Sequence, residues 1–211
     1  MDLGRAKKIM GQNLIGPEEL NRISRFLNIG KVKKTPTVGF SEQTLKKVRR
    51  THLLVLGVAK NKNNKSLTIN RLRSWLGTDP AKSEPCFYNQ DWYLKEKFAE
   101  KTTLANHWYL ISKMVLRKSL GKNSAWLKNN FSSQEKFPMA ILATFTFFAY
   151  YFLKKKLLWP KNFIWCSDLD HRGDRIYVGR YHDHARLNKN GFNIHRHLSV
   201  NADWGLAPEI N

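Results

Sequence analysis

The chain has 211 residues, with 37 Lys and Arg against 16 Asp and Glu, a formal net charge of +21 before any histidine is counted. Hydrophobic residues make up 42% and aromatic residues 12%, enough apolar material for a packed core, which excludes wholesale disorder. Two cysteines, Cys86 and Cys166, exclude a disulfide scaffold and match no zinc spacing, and residues 1–34 contain no apolar run of signal-peptide length, so a reducing, cytoplasmic setting is expected.

In chain order, Gly16-Pro17-Glu18-Glu19 predicts a helix start, with Pro at the first helical position and acids over the positive end of the dipole. Leu20, Ile23 and Leu27 share one face, and Gly30 is expected to close the helix. A basic connector, Lys31-Val-Lys-Lys34, leads to Ser41, which can cap a second short helix ending in Lys46-Lys47-Val48-Arg49-Arg50. Residues 51–56 form the best buried-strand candidate of this half, followed by a polar loop over 61–65. Thr68 can cap a helix over 69–76, stopped by Gly77, with Leu72, Trp75 and Leu76 expected on its inner side. Arg71 and Arg73 lie about 200° apart on it and cannot form one clamp.

The middle third reads as helical. Asp91 opens a segment carrying Trp92, Tyr93, Leu94 and Phe98, and Thr103 opens a longer one through Trp108, Leu110, Ile111, Met114 and Val115 to Gly121, with His107 at its core or boundary. Glu96 and Glu100 stand four residues apart but alternate with Lys95, Lys97 and Lys101, the pattern of an ordinary charged face. Residues 137–153 are the most apolar stretch. At 17 residues, it falls short of the roughly 20 that cross a bilayer, so a fully buried central helix is expected, without stable membrane insertion. An anchor through this segment is the third-ranked reading of the chain.

Beyond residue 162 the pattern changes. Residues 163–166 and 175–180 flank the turn-rich Asp168-Leu-Asp-His-Arg-Gly-Asp174 and predict a β-hairpin. Asn188-Lys-Asn-Gly191 predicts a second turn, and residues 192–198 a third strand. The expected fold is therefore α+β, with a mainly helical N-terminal and central body and a small antiparallel β module at the C-terminus. Its divisions are a basic body over 1–162, with one or two strands, and a charge-neutral, His/Asp-rich module over 163–211.

The charge follows the same division. Residues 1–82 carry a net +13, residues 83–162 a net +8, and residues 163–211 none, although those last 49 hold five of the seven histidines. An excess of this size attracts nucleic acid by neutralising phosphates and releasing counterions. The expected partner is DNA or RNA, held by Lys46, Lys47, Arg49, Arg50, Arg71, Arg73, Arg175, Arg180, Arg186 and Arg196. On a strand, His195 and His197 project to one side with Asn193. His182 and His184 form a second His-x-His pair, so His182, His184, His195 and His197 are candidate ligands of a divalent ion (Mg, Mn or Zn) beside Asp168, Asp170 and Asp174. With His195, His197 and the three aspartates in catalytic roles, the sequence reads as a metal-dependent nuclease or other phosphodiester-processing enzyme. The alternative is a non-catalytic, ribonucleoprotein-type binder, with Trp92, Tyr93, Trp159 and Tyr181 as base-stacking candidates.

The C-terminal quarter carries two local resemblances. Asp168-x-Asp170-x-x-Gly173 is similar to the opening of an EF-hand loop, but Arg172 stands at the fifth position and Gly179 at the twelfth, so calcium capture is not expected. Ile176-Tyr-Val-Gly179 resembles the second half of the GIY-YIG nuclease motif. Phe163-Ile-Trp165 replaces its first half, and the Arg and Glu of its catalytic part have no counterpart, so no residue role is carried over.

Overall fold

The computed structural model describes residues 1–131, 135–181, 190–196 and 201–210. Seven helices are present among them: α1 (Leu3–Met10), α2 (Pro17–Leu27), α3 (Glu42–Val48), α4 (Ile69–Leu76), α5 (Lys97–Glu100), α6 (Ser124–Asn130) and α7 (Ala140–Lys154). The strands are β1 (Leu14–Ile15), β2 (His52–Leu56), β3 (Trp108–Ser112), β4 (Glu135–Lys136), β5 (Phe163–Leu169), β6 (Arg175–Tyr181), β7 (Gly191–Arg196), β8 (Trp204–Gly205) and β9 (Glu209–Ile210). They form two mixed sheets, in the orders β1-β2-β3-β9-β4 and β7-β6-β5-β8.

The expectation of a mainly helical body with one or two strands and a β module only at the C-terminus is overturned by the first sheet, four of whose strands come from that body. The error lies in residues 103–121, where β3 replaces the expected long helix. Trp108, Tyr109, Leu110, Ile111 and Ser112 are all buried, and β3 pairs antiparallel with β2 from His52↔Ser112 to Leu56↔Trp108. A strand covered on both faces reads as a continuous apolar run, and such a run has no period to separate it from a buried helix. The segment from Asp91 is likewise mostly turn, with helix only at α5, and His107 is exposed against Tyr109 instead of buried.

Local signals fared better. Gly16 and Pro17 start α2, Ser41 caps α3 through the Thr44 amide, and Thr68 caps α4 through the Arg71 amide. Asn28, with φ of 55°, ends α2 in place of Gly30, since a left-handed Asn satisfies the last turn as glycine would.

Helix α7 is the centre of the fold. Every residue from Ala140 to Ala149 is buried, and no helix among the described residues is long and apolar enough to cross a membrane. Phe26 of α2 stacks on Phe152 at 4.9 Å, while Phe147 meets Phe192 of β7 at 4.6 Å and Phe87 meets Phe148 at 5.0 Å. A helix apolar on every side must be covered on every side, and α2 and the second sheet supply much of that cover. Opposite faces of β5, β6 and β7 alternate as strand geometry demands. Ile164, Cys166, Ile176, Val178 and Ile194 join the main core, whereas Trp165 and Tyr177 join a smaller cluster with Leu127 and Leu206.

His52 is a polar exception inside the first sheet. It is 8% exposed, its Nδ1 meets the Thr51 hydroxyl at 2.9 Å, and its Nε2 is buried with no hydrogen-bond partner among the described residues. Burial, reinforced by nearby Lys113, lowers its pKa to about 4. Between that value and the ordinary one near 6.5 the unfolded chain binds a proton that the folded chain refuses, so stability present above pH 6.5 is lost as the pH falls towards 4. Unfolding free energies from urea titrations at pH 4.5 and 7.5 should fall on acidification more for the native chain than for H52Q, by of order 1–3 kcal/mol.

Candidate functional site

Two groups of polar residues stand out, one on the β5–β6 hairpin and one in a groove beside β2. The hairpin turn is organised by Asp170. Its Oδ1 accepts the backbone amides of Arg172 and Asp174, each at 2.8 Å, and Gly173 supplies the positive φ of 87° that closes the turn. Its Oδ2 accepts Arg196 Nη1 of β7 at 2.5 Å, and the Asp170 side chain has no exposed surface. Burial opposes the charged form, yet the Arg196 and backbone hydrogen bonds outweigh it and hold the carboxyl below its usual range. The Arg196 guanidinium also lies over the Trp92 ring at 4.7 Å, a second contact that fixes its direction.

Glu96 meets this turn from the first residue before α5. It is 7% exposed and accepts the His171 amide at 3.0 Å and His171 Nδ1 at 2.5 Å. Glu96, Asp170 and His171 therefore bring one ligand-type atom each to within 4.8 Å of one another. Sequence reasoning passed over Glu96 because its lysine neighbours resemble an exposed helical face; Glu100, four residues on, is indeed exposed. The local signal available was the position of Glu96 immediately ahead of the buried Phe98-Ala99 pair.

The remaining candidate acids and histidines are distributed as follows. Asp168 Oδ2 accepts the Ala140 amide at 2.6 Å, so this carboxylate caps the first turn of α7 from a neighbouring strand. Burial raises its pKa despite that bond. Asp174 closes the hairpin through its backbone. His195 pairs with Tyr177 in the β6–β7 ladder and stacks on its ring at 5.3 Å, with Nδ1 at 2.5 Å from the Arg196 carbonyl. Successive strand residues face opposite ways, so His195 looks away from the Asp170–Arg196 pair, and the expected union of His195 with Asp170 does not form. His182, His184, Arg186 and His197 lie outside the described residues.

The candidate phosphate contacts divide into two sets. Arg73 pairs with Asp91 at 2.6 Å, Arg180 with Glu84 at 2.6 Å, and Arg196 with Asp170. Arg71 Nη1 donates to the Ser66 carbonyl, and Arg175 Nη1 to the Cys166 and Ser167 carbonyls. These five arginines are tied into the fold. Lys46, Lys47, Arg49 and Arg50 are exposed, with Lys46 paired to Glu42 at 2.6 Å.

At the other end of β2, about 16 Å of strand away, a groove of about 580 Å³ is lined by Lys31, Lys33, Lys34 and Lys60 together with Val32 and Val58. None of the four lysines makes an ion pair among the described residues, and no acid lines the groove. Asparagines hold both walls. The Asn21 side chain accepts the Val32 amide at 2.8 Å and donates to the Val32 carbonyl at 3.3 Å. Asn61 Oδ1 accepts the amides of Asn63 and Lys65, each at 3.0 Å. The Trp108 indole further pins the connector through the Pro36 carbonyl at 2.9 Å. The sequence signal for this groove was that Glu42 is the only acid between Glu19 and Asp79.

Removing Arg196 would strand a fully buried carboxylate. R196A should lower unfolding stability by about 2–3 kcal/mol in urea titrations, and R196K should recover only part of it because an ammonium cannot reproduce the planar fork over Trp92. Comparison with known proteins finds no family model, no curated protein and no solved structure that matches this chain.

Proposed function

We propose that this protein binds nucleic acid, with the phosphate backbone lying in the groove of Lys31, Lys33, Lys34 and Lys60. The observation that carries the reading is the coincidence of four lysines without acidic partners among the described residues on two backbone segments that asparagine side chains hold in place. A backbone already held in place need not be ordered on binding, and each phosphate the ammonium groups neutralise releases condensed counterions. The net charge of +21 adds long-range attraction for any polyanion. Arg71, Arg73, Arg175, Arg180 and Arg196 are tied into the fold, so lysine point charges, which read no base edge, are the main contacts of the groove. Binding without strong sequence preference follows.

Phosphodiester processing with a divalent ion (Mg, Mn or Zn) is the second reading, favoured by the proximity of Glu96, Asp170 and His171. Carboxylate and imidazole suit such an ion, although Arg196 already occupies Asp170 Oδ2 and would have to release it. A guanidinium freed in that way would stand beside the site as a phosphate ligand.

Salt dependence tests the first reading. For an oligonucleotide that contacts all four lysines, K31A/K33A/K34A/K60A should reduce the slope of log affinity against log salt by about 3, and weaken binding roughly 10- to 100-fold at ~0.15 M salt. An unchanged slope overturns the groove as the binding surface. Calorimetric titration with Mn²⁺ or Zn²⁺ tests the second. Binding that E96Q/H171A abolishes, together with chelator-sensitive cleavage of plasmid or RNA, supports it. A flat titration removes the metal and leaves the binder.

A further inference from the structure

The sequence pattern places Trp75 on the inner side of α4, but the structure turns it outwards. Ile69, Leu72 and Leu76 are the buried residues of that helix, whereas Trp75 is 46% exposed. Trp75 does not itself line the lysine groove and is linked to it through Lys62. Lys62 donates its amide to the Asn28 carbonyl at 2.9 Å, two residues before Gly30 of the groove wall, and carries its ammonium over the Trp75 ring at 4.8 Å. Arg71, one turn before Trp75 on the same helix face, is exposed and anchored to Ser66 in the same basic loop. By contrast, three of the aromatics that the sequence suggested for stacking are unsuited to it. Tyr93 and Trp159 are buried, and Trp92 is covered by Arg196.

We infer that Trp75 is a base-stacking platform at the edge of the lysine groove and that the ligand of this surface is a single-stranded nucleic acid. The inference rests on the nucleic-acid reading above and adds the strand class. In a duplex the bases are stacked on one another and cannot reach a flat indole on a protein surface. In a single strand each base has a free π-face, and a groove that tracks the backbone beside an exposed aromatic ring is the arrangement that captures it. Lys62 holds one face of the indole through an exposed cation–π contact, weaker than a stacked base. The arriving base displaces the ammonium, which then remains beside the strand as a further phosphate contact.

Fluorescence anisotropy with labelled 12-nucleotide oligo-dT, oligo-U and an abasic deoxyribose-phosphate strand of the same charge separates the possibilities. W75A should weaken oligo-dT and oligo-U about tenfold and leave the abasic strand unchanged, while W75F keeps most of the affinity. Unequal affinity of the native chain for oligo-U and oligo-dT would favour RNA or DNA within the same strand class, and equal affinity would extend the platform to both. W126A is the control, because Trp126 is exposed under Lys122 at 5.2 Å but belongs to α6, and its lysine lies outside the 60–65 loop. Its binding should equal that of the native chain. Unchanged binding by W75A while the lysine variant loses affinity overturns the stacking inference and leaves the groove standing. Equal losses in W75A and W126A overturn it as well. Binding by the native chain to a 12-base-pair duplex but to none of the three single strands overturns the inference and leaves the groove reading standing, and binding to neither removes both.

Discussion

The constraint on which this fold depends is the apolar surface of α7. Its first ten residues, from Ala140 to Ala149, are buried, so the helix offers no face to water and must be enclosed. Each buried phenylalanine contributes about 2–3 kcal/mol, and α7 brings Phe145, Phe147 and Phe148 into one cluster with Phe87 and Phe192. Asp168 joins this burial to the second sheet by capping the start of the helix from β5. The core thus draws on both ends of the chain, and the excess positive charge is left to the shell.

Within that shell the two kinds of cation do different work. Arginines are internal fasteners: Arg73, Arg180 and Arg196 pair with carboxylates, while Arg71 and Arg175 close on carbonyls. A planar fork with several donors suits such fixed geometry. Lysines of the 31–34 connector and of the 60–65 loop have no acidic partners among the described residues, and Lys62 instead covers an indole. In these two loops the positive charge is carried by ammonium groups over a hydrogen-bonded backbone, the feature on which the proposed contact with a phosphate polymer rests.

The hairpin cluster has another character. Asp170 takes hydrogen bonds from two amides and from Arg196, while Glu96 takes them from the amide and ring of His171. Charge pairs this enclosed are costly to desolvate and are destabilising when broken. The cluster locks β7, the β5–β6 turn and the residue ahead of α5 together, and that mechanical role is satisfied without any ligand.

Short-range features were legible in the sequence. Gly16-Pro17, Ser41 and Thr68 act within one helical turn, and the 163–180 hairpin is specified by its own turn residues, so the chain alone determined those helix starts, that turn and the net charge. What only the tertiary structure decided depends on partners distant in the chain. Residues 108–112 became a strand because β2 and β9 lie beside them, Glu96 became buried because His171 folds over it, and Trp75 was turned outwards because Ile69, Leu72 and Leu76 took the inner face of α4. The groove follows the same rule, since Lys31 and Lys60 are brought together by the bridge between Ile29 and Asn61 and by the Lys62 amide on the Asn28 carbonyl. Local propensity and net charge are sums over neighbours along the chain. Burial, pairing and the direction of a field depend on neighbours in space, and a single sequence does not name them.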